Sequence, residues 1–147
     1  MKFESFVIDG ASPLWCASGA GHLPIVKFLI KSGAVVNNTT KNNSTPLRST
    51  CFDRRADIVK YLIENGANVN GKFKNGDTIL MWAASDGKID IIKKLISNGA
   101  KINEKDMDGY TALFRAISTG NEKVAKLMVD IKGVDVNANF RYAHILF

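Results

Sequence analysis

Apolar residues along this chain recur in short segments with the spacing of helices. One set follows the i, i+1, i+4, i+5 pattern of a helix with a single buried face, namely Ile58, Val59, Leu62 and Ile63. Another apolar segment precedes it and starts at Thr45-Pro46, where the threonine hydroxyl can cap a helix and the proline can take its first position. Gly66 then supplies the left-handed residue that ends the second helix. The pattern predicts a unit of turn, helix, helix and loop.

This unit recurs every 33 residues. Three columns of equivalent residues share that interval: Leu14, Leu47, Leu80 and Leu113; Gly33, Gly66 and Gly99; and Asn37, Asn70 and Asn103. Because a single helix pair cannot bury its apolar stripe, such units stack so that each contacts its neighbours. A 33-residue period with a Thr-Pro-Leu start resembles the ankyrin repeat. The predicted fold class is all-α, an ankyrin-repeat solenoid of four full repeats with partial repeats at both ends.

A single ankyrin-repeat domain is predicted over residues 1–147. Its full repeats are expected at about 9–37, 38–70, 71–103 and 104–137, with partial repeats at 1–8 and 138–147. Asn103 to Asn137 spans 34 residues rather than 33, which predicts an insertion near 130–132. Solenoids normally close with polar terminal repeats. Because these ends lack them, we expect a fragment or truncated product; a short protein whose ends pack on a partner is the alternative.

The composition is typical of a globular protein with one continuous core, since 46% of the 147 residues are hydrophobic and 23% are charged. No run of 18 apolar residues is present, and Glu4, Ser5 and Asp9 interrupt the start of the chain. Neither a membrane span nor a secretory signal is therefore expected. The expected location is the cytoplasm, with the nucleus as a second location. Cys16 and Cys51 are expected to be buried structural thiols rather than a disulfide.

No catalytic motif stands out in the sequence. HExxH, GxSxG and P-loop sequences are absent, and His22 and His144 are the two histidines. Gly19-Ala20-Gly21 follows a predicted helix rather than a strand, which favours a helix end over a phosphate loop. His22 occupies the turn between two helices and is predicted to be a structural, hydrogen-bonding residue. We therefore expect no enzyme activity, no metal and no cofactor.

A net charge of +6, from 20 basic and 14 acidic residues, raises nucleic acid as a partner. Many of the lysines fall on the second helices, as a solvated polar face does: Lys27, Lys31, Lys60, Lys93, Lys94 and Lys126. No basic stripe with interleaved aromatic residues emerges. We therefore expect neither nucleic acid nor a membrane as the partner.

Protein binding is the function that the repeats favour, because turns and first helices line a concave face in this architecture. The column directly after Thr-Pro-Leu reads Trp15, Arg48, Met81 and Phe114. Phe52 lies one turn beyond Arg48 on the same predicted helix, where core packing does not require a large apolar residue. Trp15, Arg48 and Phe52 could form an aromatic-walled pocket around a guanidinium, built from residue types that dominate binding energies. The alternative is that Trp15 and Arg48 only fill the space between repeats.

The early repeats also resemble a narrower family. Within about residues 3–70, the segments PLWCASGAGH, VNNTT and NSTPLRSTCFD are similar to the Fem (feminization) family of ubiquitin-ligase substrate receptors. From residue 75 onward, only the segment NGDTILM resembles this family. The resemblance implies an ankyrin domain that reads short C-terminal degrons and a distal segment that docks on a cullin scaffold. That docking segment would lie outside these 147 residues.

The resemblance also implies roles for individual residues. Arg48 would bind the terminal carboxylate of the degron, and Trp15 and Phe52 would shape its pocket. Glu4 stands where the family has an aspartate after phenylalanine, and it could pair with a basic residue of the degron.

The predicted function is non-catalytic recognition of a protein or peptide, and its specific form is a C-degron receptor of a cullin-RING ubiquitin ligase. The alternative is a generic ankyrin scaffold or effector that binds a protein partner through its concave face. In that case the ligand would contact the turns around Phe73 and Met107.

Overall fold

The computed structural model describes residues 9–51, 55–73 and 75–138. Two of the predicted binding residues, Glu4 and Phe52, lie outside these ranges. Within them all regular structure is helical: α1 (Pro13–Ala20), α2 (Leu23–Lys31), α3 (Pro46–Cys51), α4 (Ala56–Glu64), α5 (Ile79–Asp86), α6 (Ile89–Ser97), α7 (Ala112–Ser118) and α8 (Glu122–Val129). The predicted all-α class is confirmed.

The first helix of each pair begins at a hydroxyl side chain that caps it. The capping bonds run from Trp15 N to Ser12 Oγ (3.1 Å), Arg48 N to Thr45 Oγ1 (3.2 Å), Met81 N to Thr78 Oγ1 (3.3 Å) and Phe114 N to Thr111 Oγ1 (3.3 Å). Each bond satisfies a backbone donor that a helix leaves without a partner at its N-terminus. The helix start expected at Thr45 is therefore confirmed, and the other three first helices begin in the same way.

Two of the first helices end at a glycine that the following repeat covers. Gly21 and Gly87 have φ values of +80° and +71°. A Cβ added at Gly21 would lie 2.4 Å from Arg55 Nε, and one added at Gly87 would lie 2.4 Å from Asn121 Nδ2. A polar side chain from the next repeat thus lies directly against each of these turns.

The chain divides into two compact units, Met1–Asn68 and Val69–Phe147. In the first unit α1 packs on α2 and α3, while α4 packs on α3 and α2. In the second unit α5 packs on α6 and α7, while α7 packs on α8. Each unit therefore contains two helix pairs whose first helices lie side by side. The single domain and the repeat boundaries named above stay predictions.

The cores of the units consist of the repeated apolar columns. In the first unit the buried side chains include Leu14, Val26, Leu47, Ile58, Val59, Leu62 and Ile63. In the second they include Leu80, Ile91, Ile92, Leu95, Leu113, Val124 and Met128. Burial of each such side chain contributes about 1.5–3 kcal/mol. The buried stripe predicted for the second helix of repeat two is confirmed.

An asparagine that follows a second helix forms side-chain hydrogen bonds to the backbone of the next repeat. Asn37 donates from Nδ2 to the carbonyl oxygen of Gly66 (3.0 Å), and its Oδ1 accepts from the backbone N–H of Asn68 (2.8 Å). Asn70 forms the same pair of bonds with the loop after α6, at 3.1 and 2.8 Å. The asparagine column in the sequence is thus a set of side chains that clamp the backbone of the next repeat.

The last of these clamps accommodates the predicted insertion. Asn103 donates to the carbonyl oxygen of Gly133 at 2.7 Å and accepts from the backbone N–H of Asp135 at 2.8 Å. Asn103 and Gly133 are 30 residues apart, whereas the equivalent pair Asn70 and Gly99 is 29 residues apart. The extra residue therefore lies between α8 and the clamp, and the bonding pattern is kept.

The turn that precedes a first helix forms a backbone hydrogen bond with the equivalent turn of the neighbouring repeat. Lys41 N donates to the carbonyl oxygen of Asp9 at 3.0 Å, and Met107 N donates to that of Asn75 at 3.2 Å. At the second contact Gly76 has a φ of +79°, and a Cβ added there would lie 2.9 Å from Met107 N. Glycine meets both requirements, a left-handed backbone and a close backbone neighbour.

Leu62→Ala should lower the free energy of unfolding by about 2–5 kcal/mol, because Leu62 is fully buried and the truncation leaves a cavity. Urea and thermal unfolding measure this loss. The control is Lys31→Ala at an exposed position of the same unit, which should change stability by less than about 0.5 kcal/mol. Equal losses for the two variants would show that the proposed helical register is wrong.

Gly76→Ala and Gly99→Ala together test the close approach of the turns. Both glycines have positive φ, so alanine is strained at either position, but a Cβ at Gly99 would have nothing within 4 Å. Gly76→Ala should therefore cost at least about 1 kcal/mol more than Gly99→Ala in urea unfolding. If the two costs agree, contact between the turns does not contribute to stability.

Candidate peptide-binding surfaces

Trp15, which the sequence pattern places in a binding pocket, is an internal residue of the first unit. Only 5% of its surface is exposed. Its indole Nε1 donates to Ser44 Oγ at 3.0 Å, and its carbonyl oxygen accepts from Ser49 Oγ at 3.1 Å. The indole therefore joins α1 to the turn before α3 and offers little surface to a ligand. Of the two interpretations left open for Trp15, its burial fits the filling of space between repeats.

The turn that Trp15 holds leads directly into the helix that carries Arg48. Ser44 O accepts from Thr40 N at 3.0 Å, and Thr40 Oγ1 accepts from Ser44 N at 3.2 Å, so the turn is closed by its own ends. Thr45 then caps α3 through the backbone N–H of Arg48. Arg48 itself is half-buried. The backbone that leads into this arginine is thus fixed by the turn and by the cap.

The predicted pocket of Trp15, Arg48 and Phe52 stays a prediction. Phe52 and Glu4 lie outside the described residues. We define the candidate Arg48 site as Arg48 with the turn of residues 40–45. Lys41, on the same turn, forms an exposed ion pair with Asp9.

A different charged cluster lies at the turns of the second unit. Arg115 on α7 donates from Nη2 to Asp77 Oδ1 at 2.6 Å and to Asp106 Oδ2 at 2.7 Å. The other oxygen of Asp106 accepts the backbone N–H groups of Asp108 and Tyr110, each at 2.9 Å. One guanidinium therefore joins two turns and the helix that follows them.

Electrostatics hold this cluster in its charged form. Burial acts to lower the pKa of Arg115, but the hydrogen bonds and negative charges of Asp106 and Asp77 outweigh it, and the pKa is raised above its ordinary value. The Asp106 side chain is only 3% exposed. The positive charge of Arg115 is compensated by two carboxylates, so it is poorly suited to bind a carboxylate of a ligand.

Aromatic and apolar side chains accompany this cluster. The rings of Tyr110 and Phe114 are stacked, with centroids 4.3 Å apart and planes 16° apart. Met107, at the tip of the same turn, is 70% exposed. We define the turn surface of the second unit as Asp77, residues 106–108, Tyr110, Phe114 and Arg115.

The repeat pattern predicts only part of this turn surface. It indicates Met107 and Phe114, but not Arg115, Asp77, Asp106 or Tyr110. One available signal is the column of Arg115, whose other members are Cys16, Ser49 and Trp82, all without charge. A single charged residue in that column indicates a specific ion-pair partner.

The histidine and cysteine side chains of the described residues do not form a catalytic arrangement. His22 is exposed and its side chain makes no capping bond to α2, and its structural role stays a prediction. Cys16 and Cys51 are free thiols and only partly buried, rather than fully buried as expected. Burial raises the pKa of the Cys51 thiol to about 12, against the opposing effects of a Thr50 hydrogen bond and the charge of Arg48. A thiol of this kind is a poor nucleophile.

Two absences among the described residues bear on the remaining functions. No helix there is long and apolar enough to cross a membrane. No group of three or more histidine, cysteine, aspartate or glutamate side chains there could hold a metal ion.

Comparison with known proteins identifies the class. A family model described as ankyrin repeats (3 copies) matches residues 2–73 and 68–140. These matches cover most of the chain, which therefore belongs to the ankyrin-repeat family. Ankyrin repeats form a non-catalytic fold for protein–protein interaction, in keeping with the repeat architecture described above.

One known protein shows a more specific similarity than the ankyrin-repeat family as a whole. The chain is 56% identical to protein fem-1 homolog CG6966 of Drosophila melanogaster over 45 residues. This stretch covers 31% of the chain and 7% of the length of the fly protein. The resemblance to the Fem family that the early repeats suggested is supported over this short stretch.

Arg115→Met should destabilise the protein by about 2–4 kcal/mol, because it leaves the buried carboxylate of Asp106 without its cation. Urea unfolding measures the loss. Adding Asp77→Asn and Asp106→Asn to this variant should recover part of it, because the charges that need compensation are then removed. If Arg115→Met has wild-type stability, the cluster does not hold the turns together.

Stability should also fall with rising pH because of Cys51. Its raised pKa means that the unfolded chain loses the thiol proton above about pH 9, whereas the folded chain keeps it until about pH 12. Within this window the contribution of Cys51 falls by at most about 1.4 kcal/mol per pH unit. Cys51→Ala should remove this part of the pH dependence in urea unfolding between pH 9 and 11, and parallel curves for the two proteins would contradict the assignment.

Proposed function

We propose that this chain is a peptide-recognition module that binds a free C-terminal carboxylate through Arg48, in the manner of a Fem-like C-degron receptor. The observation that carries the proposal is the position of Arg48, half-buried at the capped start of α3 and directly after the turn that Trp15 holds. The identity to a Fem-1 homologue over 45 residues supports the same assignment.

The chemistry of arginine fits a terminal carboxylate. Its planar guanidinium can form two parallel, charge-assisted hydrogen bonds to the two oxygens, which the point charge of lysine cannot reproduce. Partial burial strengthens such bonds, because water screens them less. Ordering the side chain on a fixed backbone also lowers the entropic cost of binding.

Trp15 has a positioning role in this proposal rather than a contact role. Its hydrogen bond to Ser44 fixes the turn, and the turn fixes the start of α3. Phe52 and Glu4 keep the roles that the resemblance implies, a pocket wall and a partner for a basic residue of the degron.

The proposed setting is a cullin-RING ubiquitin ligase, in which other segments of a longer protein would dock on the cullin. A cytoplasmic location is proposed with it. Neither nucleic acid nor a membrane is a partner in this proposal.

A generic ankyrin scaffold or effector is the second candidate function. The observation that favours it is the exposed Met107 on the turn surface of the second unit. A ligand of this kind would bind whether or not its carboxyl end is free, which separates it from the first candidate.

Selection from a pool of random ten-residue peptides tests the first candidate. The pool is offered once with free carboxyl ends and once with amidated ends, and retained peptides are identified by mass spectrometry. Retention should require the free carboxylate. Equal retention from both pools would favour the scaffold function, and no retention from either would contradict a peptide receptor.

Arg48→Ala should weaken a selected free-acid peptide at least about thirtyfold, which corresponds to the loss of a buried charge pair. Arg48→Lys should also weaken it, while both variants keep a nearly wild-type melting temperature. Calorimetry with matched free-acid and amide peptides measures these effects. Arg55→Ala removes an exposed arginine of the same unit and serves as the control. Wild-type discrimination in Arg48→Ala would make Arg48 a structural spacer.

A further inference from the structure

The helix pairs α1–α2 and α7–α8 each have a face whose equivalents elsewhere in the two units are covered by another helix pair. We define the start face as His22, Ile25, Phe28, Gly33 and Val35, and the end face as Ile117, Gly120, Val129 and Asn137. We infer that the end face of one copy of this protein binds the start face of a second copy, so that copies stack head to tail. This interaction goes beyond the proposed function, and it uses neither the candidate Arg48 site nor the turn surface of the second unit.

The start face exposes apolar side chains that the repeats bury elsewhere. Ile25 on α2 is 49% exposed, whereas its counterparts Ile58 and Val124, which follow another helix pair within their own units, are 0% exposed. Phe28 and Val35 are exposed as well. Because each repeat of a solenoid packs on the one before it, the start face has the surface on which one more helix pair fits.

The end face shows the complementary departure from the repeats. Ile117 on α7 is 55% exposed, whereas its counterparts Ser18 and Ala84, which another helix pair follows within their own units, are 0% exposed. Val129 at the end of α8 is exposed as well. The two faces are therefore the two halves of one interface between repeats, and apolar patches of this kind mark interaction sites.

Each face also contains a groove. The groove at the start face measures about 420 Å³ and is lined in part by Leu14 and Leu29. The groove at the end face measures about 190 Å³ and is lined in part by Ala116 and Ala125. Apolar side chains of one face can thus be buried in the groove of the other, as the repeats do with their own columns.

The asparagine clamp has unused partners on both faces. Asn37 bonds a carbonyl oxygen and a backbone N–H group in the loop after α4. Asn137 is the last member of this column, and among the described residues its side chain forms no such pair of bonds. Gly33 and Val35 hold the equivalent places in the loop after α2, where the described residues leave the Gly33 carbonyl oxygen and the Val35 N–H without a hydrogen bond. In the stack, Asn137 of one copy clamps these two groups of the next.

A glycine and a histidine complete the match. The glycines that end α1 and α5 are covered by the residue before α4 and the residue before α8. Gly120 has the same left-handed backbone, with a φ of +70°, but a Cβ added there would have nothing within 4 Å. His22, the residue before α2, is exposed. In the stack, His22 of the second copy covers Gly120, as Arg55 covers Gly21.

Charge does not oppose this contact. Residues 119–137, which lead through the end face, carry three acidic and three basic side chains: Glu122, Asp130, Asp135, Lys123, Lys126 and Lys132. Residues 21–36 carry Lys27 and Lys31 as their only charged side chains. A neutral segment therefore meets a positive one, and burial of apolar surface supplies the driving force.

Analytical ultracentrifugation of the full chain tests the inference. Between about 5 and about 500 µM, a range suited to micromolar and weaker dissociation constants, the average mass should rise with concentration and pass that of a dimer. It does so because a head-to-tail contact leaves one unused face at each end of an open assembly.

Two variants at half-exposed positions distinguish this contact from a symmetric one. Ile25→Glu disables the start face and Ile117→Glu disables the end face, because each places a carboxylate in an apolar contact. Each variant alone should be a monomer. An equal mixture of the two should form a dimer and nothing larger, because one working pair of faces remains.

Milder changes and controls accompany these variants. Asn137→Ala, at an exposed position, should weaken association about fivefold through loss of the clamp. Met107→Glu is the matched control, because Met107 is an exposed apolar residue outside both faces, and it should associate like the wild type. Arg48→Ala should also associate like the wild type. Melting temperatures verify that each variant is folded.

Three results would overturn the inference. They are a monomer at every concentration, which would favour cover of the faces by residues 1–8 and 139–147 of the same chain; a mixture of Ile25→Glu and Ile117→Glu that stays monomeric; or equal effects of Ile117→Glu and Met107→Glu. None of them bears on carboxylate binding by Arg48, and failure of that binding leaves the stacking intact.

Discussion

Burial of apolar side chains between neighbouring repeats is the constraint on which the rest of the structure depends. The helices have six to nine residues each, which is too short for stability in isolation. They persist because side chains such as Leu62 and Met128 are buried completely within their units. The asparagine clamps and the contacts between turns follow the same rule, since they join residues about one repeat apart. Each candidate surface is therefore positioned by contacts with the adjacent repeat.

The two candidate surfaces each contain an arginine, and the surroundings of the two arginines differ. Arg115 has its charge compensated by Asp77 and Asp106, so the cluster around it is slightly negative and structural. Arg48 lies half-buried after a turn that hydroxyl groups and an indole hold in place, and its proposed ligand is a carboxylate. The positive charge of Arg48, rather than the shape of the fold, carries the proposed specificity.

Local features were predictable from the sequence, and features that depend on distant residues were less so. The cap at Thr45 bonds three residues away, so the local pattern of a hydroxyl residue, a proline and an apolar stripe was sufficient to predict it. The partner of the Trp15 indole is 29 residues distant, and the departure of Trp15 from the repeat pattern looked like a binding feature instead of a buried hydrogen bond. Arg115 meets carboxylates 9 and 38 residues away, which no spacing rule connects. The roles of Glu4 and Phe52 stay predictions.

The central proposal is that Arg48 binds a free carboxylate, and NMR of the arginine Nε–Hε groups tests it most directly. A selected free-acid peptide and its amide are titrated into the labelled protein, with the Arg48 signal assigned from the Arg48→Lys variant. The account predicts that the Arg48 signal shifts with the free acid and stays in place with the amide, while the Arg115 signal moves with neither. A free-acid peptide that binds without moving the Arg48 signal, or that moves the Arg115 signal instead, would contradict it.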